Sequence, residues 1–356
     1  MTSSEIESPR ILRIIDASLN RVGEGLRLLE ELARLLLDDA VLTQRLKAMR
    51  HELLTTNASF QQQLLRFRNA RGDVGAELAV PGEEKERDLT AVLVANSRRV
   101  QESLRTLEEL AKVSGKTPGL DSHRFQQARF ELYTLEQELL SRLLRQDKRR
   151  KLSGLYAIID MPSLGGHHYL EVAEQVIRGG AGVIQLRDKT LPKGELLSVA
   201  DELRALCTES GVLFIVNDYL DVALAADADG LHLGQDDLPV TVARRLLPPG
   251  KLLGCSVTTA EEATRASSDG ADYIAVGPVY PTPTKETGGA VGLGGLRQVR
   301  QAVTLPLVAI GGININNVAE VVTAGADAVA VIGALLAAGS PEQNAKEITA
   351  ALEALK

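Results

Sequence analysis

Tryptophan is absent from this 356-residue sequence, and aromatic residues make up only 3% of it. Proteins that bind single-stranded nucleic acid stack bases on aromatic rings, so this composition argues against that class of protein. Cysteine is almost as rare. The two cysteines, Cys207 and Cys255, lie in apolar segments and have no metal-ligand spacing. We therefore expect both to be small buried residues in a protein of a reducing compartment.

Long apolar runs and a secretory signal are also missing. No segment approaches the roughly 18 apolar residues of a membrane-spanning helix, and the first ten residues, MTSSEIESPR, lack a basic region followed by an apolar one. Apolar residues nevertheless make up 44% of the chain, which is ordinary for a protein with hydrophobic cores. We expect a cytoplasmic protein without a membrane or nucleic-acid partner.

The length suits two domains, and charge is divided unevenly between two parts of the chain. Residues 1–150 contain 25 Lys and Arg against 23 Asp and Glu, whereas residues 151–356 contain 15 against 24. A basic run, RLLRQDKRRK at 142–151, lies where the composition changes. This run could contact nucleic acid, but a solvated hinge is the better interpretation. We therefore predict one domain at 1–150 and a second at 151–356.

The first predicted domain is helical from residue 11 to about 145, and it repeats itself. RVGEGLRLLEELA at 21–33 matches RVQESLRTLEELA at 99–111, and RLKAMRHEL at 45–53 matches RFQQARFEL at 124–132. Each copy carries one apolar stripe at helical spacing, formed by Leu26, Leu29 and Ala33 or by Leu104, Leu107 and Ala111. One hairpin cannot cover its own stripe, so we predict that two copies pack into an accessory four-helix bundle with approximate twofold symmetry.

A connection rich in glycine and charge, residues 66–88, separates the two copies. Arg66, Arg68 and Arg71, with the backbone at Gly72 and Gly75, could hold a phosphate. A long solvated connection is the alternative, and we favour it because no other feature of this segment indicates a ligand.

The second predicted domain is a series of strand and helix units. LYAIID at 155–160 and GVIQLRDK at 182–189 are apolar runs that end abruptly in charge, with an amphipathic segment between them. Eight such strands are predicted, at residues 155–160, 183–188, 213–218, 230–234, 252–257, 273–278, 307–312 and 328–333. Eight units suit a compact (β/α)₈ (TIM) barrel better than a doubly wound sheet, which rarely contains so many. We therefore predict an α/β barrel preceded by an all-α bundle.

In a (β/α)₈ barrel the functional residues lie at the carboxyl ends of the strands, and in this sequence those ends are polar. Polar residues end or follow the second to fifth strands: Gln185, Arg187, Asp188, Lys189, Asn217, Asp218, Gln235, Asp236, Asp237 and Ser256. A glycine-rich loop, PVYPTPTKETGGAVGLGG, follows the sixth strand. Its residues 286–295 contain five glycines and could close as a lid.

The last two predicted strands end in glycine, at Gly311 and Gly312 and at Gly333 after Ile332. Barrels of this kind commonly bind phosphate there through bare backbone N–H groups, and a side chain would block the close approach. Glycines that serve only tight turns are the alternative. We predict a phosphate site at these ends.

Charged residues of both signs are predicted at the same rim. Asp218 and Asp237 follow neighbouring strands. Two carboxylates with room for water suit Mg²⁺, so we predict a magnesium site there. Surface carboxylates that bind no metal are the alternative. Arg187, Lys189 and Lys285 would repel one another unless a polyanion, such as a diphosphate chelated by Mg²⁺, bound among them. We interpret His232, on the fourth strand, as an ordinary barrel-facing histidine rather than a ligand.

These segments jointly resemble the thiamine-phosphate synthase family over roughly residues 152–354. The resemblance rests on LYAIID, QLRDK, ND followed by ADGLHLGQDD, GCSVTT, GPVYPTPTK, AIGGI and the end of the eighth strand. It implies a transferase that joins 4-amino-2-methyl-5-(diphosphooxymethyl)pyrimidine to a thiazole ethyl phosphate, commonly its carboxylated form, and releases thiamine phosphate and diphosphate. A thiazole tautomerase-like barrel enzyme and a non-catalytic ligand sensor are the alternatives.

The resemblance also implies roles for individual residues, with Asp188 among the substrate-binding ones. It assigns the pyrimidine diphosphate to Gln185, Arg187, Lys189, Asn217, Ser256 and Lys285, the thiazole phosphate to Thr282, Thr284, Gly312, Ile332 and Gly333, and Mg²⁺ to Asp218 and Asp237. We expect catalysis to depend on Arg187, Lys189, Lys285 and Ser256. The family often has serine where this sequence has Gly333, so a hydroxyl contact to the phosphate is expected to be lost.

The helical half resembles an extension found in some bacterial members of this family. DASLNRVGEGLRLLEE at 16–31 and RGDVG at 71–75 carry that likeness. A hydroxymethylpyrimidine-phosphate kinase activity is in some cases ascribed to the extension, but this sequence has no GxxxxGKS/T loop and no set of protein-kinase motifs. We expect an accessory or oligomerisation bundle, and hence a homo-oligomer as one outcome.

Overall fold

The computed structural model describes residues 3–55, 57–69, 88–113, 120–282 and 289–355. The chain divides into two compact units, Met1–Leu144 and Arg145–Lys356. Within the described ranges, no helix combines the length and apolar character needed to cross a membrane. Most of the connection between the two copies, including Arg71, Gly72 and Gly75, lies outside the described residues.

The first unit is built from helices. These are α1 (Ser3–Glu31), continued by a π-helical turn (Leu32–Leu36), α2 (Ala40–Leu54), α3 (Ala58–Phe67), α4 (Leu89–Ala111) and α5 (Ser122–Arg150), of which the last runs on beyond residue 144. The expected all-α bundle is confirmed, although α1 begins earlier than predicted and α3 was not foreseen. Asp39, Asn57 and Asp88 cap α2, α3 and α4, each accepting hydrogen bonds from N–H groups of the first turn.

The apolar stripes found in both copies form a single core. Its fully buried side chains include those of Ile15, Leu26, Leu29, Leu42, Leu46, Leu93, Leu104, Leu107 and Leu132. Helices α1 and α4 approach closely at Gly25, where a Cβ would lie 2.4 Å from Val100 Cγ2. Glycine at this position therefore permits the contact between the first helices of the two copies.

Each copy also buries one glutamate at the equivalent place. Glu30 is 3% exposed and pairs with Arg50 of α2 at 2.9 Å and with Arg27 on its own helix. Glu108 is 1% exposed and pairs with Arg129 of α5 at 3.1 Å and with Arg105 on its own helix at 2.7 Å. The duplication seen in the sequence thus extends to a buried ion-pair cluster that links the two helices of each hairpin.

Removing the buried carboxylate should destabilise the first unit, because it leaves Arg129 without a buried partner. We expect Glu108→Ala to lower the free energy of unfolding by about 3 kcal/mol. Urea denaturation measures this change. Glu109→Ala is the matched control, because Glu109 pairs with Arg105 and Lys112 while half of its side chain is exposed. The control should change stability by less than about 0.5 kcal/mol, and equal losses in both variants would contradict the argument.

The second unit is a closed barrel of eight parallel strands in sequential order. The strands are β1 (Gly154–Asp160), β2 (Val183–Arg187), β3 (Leu213–Asn217), β4 (Gly230–Leu233), β5 (Leu252–Val257), β6 (Tyr273–Val276), β7 (Leu307–Ile310) and β8 (Ala328–Val331). The connecting helices are α6 (Tyr169–Arg178), α7 (Lys193–Ser210), α8 (Leu220–Ala225), α9 (Val240–Leu246), α10 (Ala260–Ser268), α11 (Gly292–Ala302), α12 (Val318–Thr323) and α13 (Pro341–Glu353). The predicted (β/α)₈ barrel is confirmed, with several strands ending one to two residues earlier than expected.

Alternate residues of each strand belong to two separate cores. On β1, for example, Leu155, Ala157 and Ile159 pack outward against the helices, whereas Tyr156 and Ile158 point into the barrel. Both cysteines lie in the outer core. Both are free and buried, so the expectation of small buried cysteines is confirmed, and burial raises the pKa of the Cys207 thiol to about 12 and that of Cys255 to about 11.

Candidate active site

Several polar residues near the carboxyl ends of the strands have side chains that face the interior of the barrel. Gln185 and Arg187 on β2, Asn217 on β3, His232 on β4 and Ser256 on β5 share the face of the interior core. Gln185 and Asn217 are buried, and Ser256 is half-buried. Because the strands are parallel and closed, residues from separate segments of the sequence converge on one end of the barrel.

Arg187 is held by a carboxylate that sequence analysis did not select. Asp160, the last residue of β1, is 3% exposed and forms an ion pair with Arg187, its neighbour in the strand register. The Ser163 hydroxyl donates to the same carboxylate. The signal was present in the sequence, because the LYAIID run ends in an aspartate at the inward position. Asp160 therefore fixes the guanidinium of Arg187 at the rim.

Asp218 and Asp237 lie beside one another, as the sequence interpretation requires. Asp218 adopts a left-handed backbone conformation, with φ of 64°, directly after β3. Asp237 accepts a hydrogen bond from Gly234 N at 2.7 Å, and Lys189 Nζ lies 3.5 Å from Asp218 Oδ2. Burial and the neighbouring Asp237 carboxylate raise the pKa of Asp218 to about 6, and Lys189 opposes that shift. Two carboxylates thus share a half-buried site with one exposed cation.

This carboxylate pair has the chemistry of a partial site for a hard divalent cation. Among the described residues, no group of three or more His, Cys, Asp or Glu side chains could surround a metal ion. A cation bound to Asp218 and Asp237 would therefore take its remaining ligands from water or from a substrate. Mg²⁺ is commonly bound in that way, through one or two carboxylates and phosphate oxygens.

The glycines after β7 are required by packing. Gly311 and Gly312 have φ of 102° and 65°, and a Cβ at either position would lie within 2.9 Å of atoms in residues 278–281. The Gly312 carbonyl accepts a hydrogen bond from Asn317 Nδ2 at 3.0 Å. The tight turn therefore explains why both residues are glycine. Phosphate binding by their N–H groups is a separate proposal.

Gly333 differs from these two glycines. It begins a 3₁₀ turn (Gly333–Leu336) directly after Ile332, its φ is not positive, and a Cβ at Gly333 would meet no atom within 4 Å. Space is therefore available for a side chain at the end of β8.

The remaining predicted site residues have varied positions. Asp188 is 4% exposed and accepts hydrogen bonds from the Thr190 N–H and hydroxyl groups and from Leu191 N, so it orders the loop after β2. Thr282 is half-buried in the loop after β6. Thr284, Lys285 and residues 286–288 at the start of the expected lid lie outside the described residues.

The fold and the charged rim at its carboxyl end define a (β/α)₈-barrel enzyme. A family model described as "Thiamine monophosphate synthase" matches residues 155–335, and a model of the ThiD2 family matches residues 13–138. The first match covers most of the barrel, and the second covers most of the helical unit.

Similar proteins have related names. Thiamine-phosphate synthase of Thermosynechococcus vestitus is 41% identical over 344 residues, which is 96% of this chain and 95% of the relative. That of Rhodopirellula baltica is 38% identical over 357 residues, covering 98% and 94%. A solved structure, thiamine phosphate pyrophosphorylase from Pyrococcus furiosus, is 39% identical with a TM-score of 0.54 and covers 58% of this chain and 98% of its own. The chain belongs to the thiamine-phosphate synthase family, and it is a transferase of thiamine biosynthesis.

The Asp160–Arg187 pair generates a prediction for this activity. Asp160→Ala should lower kcat/KM for thiamine phosphate formation by about a hundredfold, because Arg187 loses the contact that fixes its orientation. Steady-state kinetics with a check of folding by circular dichroism measures the effect. Asp201→Ala, which changes an exposed carboxylate on α7, should leave kcat/KM unchanged. If Asp160→Ala had wild-type kinetics, the activity would not depend on the ion pair between Asp160 and Arg187.

Proposed function

We propose that the barrel joins 4-amino-2-methyl-5-(diphosphooxymethyl)pyrimidine to a thiazole ethyl phosphate, with release of diphosphate. The observation that carries the proposal is the meeting of Arg187, Lys189, Asp218 and Asp237 at one rim of the barrel. Cations and paired carboxylates beside each other suit a diphosphate bound together with Mg²⁺ better than they suit a neutral ligand.

The proposed reaction is a dissociative displacement. The bond between the pyrimidine methylene carbon and the diphosphate oxygen breaks, and its electron pair leaves with the diphosphate. The aminopyrimidine ring stabilises the methylene cation, and the lone pair of the thiazole nitrogen then forms the new C–N bond. A carboxylated thiazole substrate would also release CO₂.

The residues of this chain supply charge and position. Arg187, oriented by Asp160, and Lys189 would stabilise the negative charge that develops on the leaving diphosphate. Mg²⁺, when bound by Asp218 and Asp237, would supply further neutralisation of that charge. Lys285 is proposed to act with them. No nucleophilic side chain is required, since positioning and electrostatics carry the reaction.

The thiazole phosphate is proposed to bind at the ends of β7 and β8. Gly312, the backbone at Ile332 and Gly333, Thr282 and Thr284 would surround it. The support is the free space at Gly333 and the position of both strand ends at the rim where barrels of this kind commonly hold phosphate.

We also propose that the helical unit is accessory to the synthase. Its two buried glutamates, Glu30 and Glu108, form ion pairs with arginines of the same unit and therefore serve its stability. An oligomerisation role for this unit is part of the proposal.

The proposed function predicts that two substitutions abolish most of the activity without unfolding the barrel. Asp218→Asn removes a charge that would hold Mg²⁺, and Lys189→Ala removes a cation from the diphosphate site, so each should lower kcat/KM by at least a hundredfold. Each should also weaken inhibition by added diphosphate.

Lys193 and Asp221 form a matched control pair at the same rim, because they make an ion pair between exposed side chains. Lys193→Ala and Asp221→Asn should leave the kinetics within twofold of the wild type. If Asp218→Asn and Lys189→Ala also retained wild-type kinetics, the assignment of the diphosphate site would be wrong.

Gly333 yields a second prediction. Gly333→Ser fits without a clash and restores a hydroxyl that can donate to the phosphate, so the KM for the thiazole phosphate should fall by about tenfold. Gly333→Ala adds the Cβ without the hydroxyl and should leave this KM unchanged. Initial-rate kinetics at saturating pyrimidine substrate distinguishes the two variants, and an unchanged KM in Gly333→Ser would place the phosphate elsewhere.

A further inference from the structure

A continuous chain of hydrogen-bonded side chains crosses the interior of the barrel. This polar chain consists of Gln185, Tyr156, Tyr273, His232 and Ser256. Gln185 Nε2 donates to the Tyr156 hydroxyl at 2.8 Å, and the hydroxyls of Tyr156 and Tyr273 are 3.0 Å apart. The Tyr273 hydroxyl lies 3.0 Å from His232 Nδ1, and His232 Nε2 lies 2.9 Å from Ser256 Oγ. The chain therefore joins the two proposed pyrimidine-binding residues, Gln185 and Ser256, through three residues deeper in the barrel.

The backbone makes room for this chain at one place. In the strand register, Gly254 of β5 lies between His232 of β4 and Tyr273 of β6. A Cβ at Gly254 would lie 2.1 Å from Tyr273 Cζ and 2.4 Å from its hydroxyl oxygen. The absence of a side chain at Gly254 thus allows the tyrosine and the histidine to meet across the middle strand.

Each link of the chain joins neutral groups. Neither ring nitrogen of His232 contacts a carboxylate, because both partners are hydroxyls. His232 is 6% exposed and the two tyrosines are at most 1% exposed, and burial of this kind disfavours the charged form of each group. Near neutral pH, each phenol therefore carries its hydroxyl hydrogen and the imidazole carries a single N–H.

With Gln185 Nε2 donating to Tyr156, this number of hydrogens determines the direction of every other link. Tyr156 accepts from the amide of Gln185, so its own hydrogen is satisfied only by donation to Tyr273. Tyr273 must then donate to His232 Nδ1, which places the imidazole N–H on Nε2 and directs it at Ser256 Oγ. The Ser256 hydroxyl hydrogen is then left to donate a hydrogen bond into the cavity, and the amide oxygen of Gln185 is left to accept one there. Rotation of the Gln185 amide would reverse all of these directions at once.

We propose that the polar chain couples the hydrogen-bonding directions of Gln185 and Ser256, and that Tyr273 and His232 are positioning residues for an aminopyrimidine edge. An aminopyrimidine presents an amino group that donates and a ring nitrogen that accepts. The acceptor at Gln185 and the donor at Ser256 complement that pattern. This inference rests on the proposed function, in which both residues contact the pyrimidine.

A double-mutant cycle measures this coupling as non-additive effects on kcat/KM of substitutions at Gln185 and Ser256. Gln185→Ala and Ser256→Ala each remove one end, and kcat/KM for the pyrimidine diphosphate is measured for both single variants and for the double variant. If the ends are coupled, the loss in the double variant is smaller than the product of the single losses by about fivefold. In a Tyr273→Phe background the chain is broken, so the two losses should multiply to within twofold. A purely structural role for Tyr273 would leave the coupling unchanged.

Tyr169→Phe is the matched control, because Tyr169 donates to Glu202 on the outer surface of the barrel and takes no part in the chain. Its background should retain the wild-type coupling. His232→Asn is too short to reach Ser256, so it breaks the chain at the next link, and it replaces Tyr273→Phe if that variant does not fold. Additive losses in the wild type, or a coupling that survives both Tyr273→Phe and His232→Asn, would overturn the proposal.

The outcome for the proposed function is read separately. A wild-type protein that forms thiamine phosphate supports that function whether or not the ends are coupled. If the wild type forms none, the proposed function fails, and the same cycle is measured on binding of the pyrimidine diphosphate by calorimetry. Absence of binding to the wild type would overturn both proposals.

Discussion

Closure of the parallel sheet is the constraint on which the rest of the barrel depends. In a closed barrel every strand has two hydrogen-bonded neighbours, so alternate side chains must lie either against the helices or inside. The interior then holds Tyr156, Ile158 and Tyr273 among apolar side chains, while Arg187, Asn217 and Ser256 reach the carboxyl end on the same register. For the site residues on strands, the position of each side chain follows from its parity along the strand.

The charged residues at the rim of the barrel form ion pairs. Arg187 lies against the buried Asp160, whereas Lys189, with more than half of its side chain exposed, partly offsets the charge of the Asp218 and Asp237 pair. Burial and the second carboxylate raise the pKa of Asp218 to about 6. In the proposed function, a divalent cation bound to the pair would oppose that shift.

The helical unit uses its buried charge differently. Glu30 and Glu108 occupy equivalent places in the two copies, and arginines from both helices of the hairpin surround each of them. Truncation of one partner of such a cluster is costly because the other charges stay buried. These residues therefore define how the helices of each copy pair, in contrast to the rim charges of the barrel, for which substrate binding is proposed.

Local patterns in the sequence determined the eight strands, the helical repeat and the polar residues at the strand ends, because the alternation of apolar residues is set by each segment alone. They did not identify Asp160, Tyr156 or Tyr273 as partners, and they left His232 as an ordinary interior residue. Only the tertiary structure decided these contacts. The hydrogen bond between Tyr156 and Tyr273 joins residues 117 positions apart, and that between Gln185 and Tyr156 joins residues 29 apart. Such pairs form because the barrel closes and Gly254 leaves space inside it, and both conditions depend on segments remote from the residues that meet.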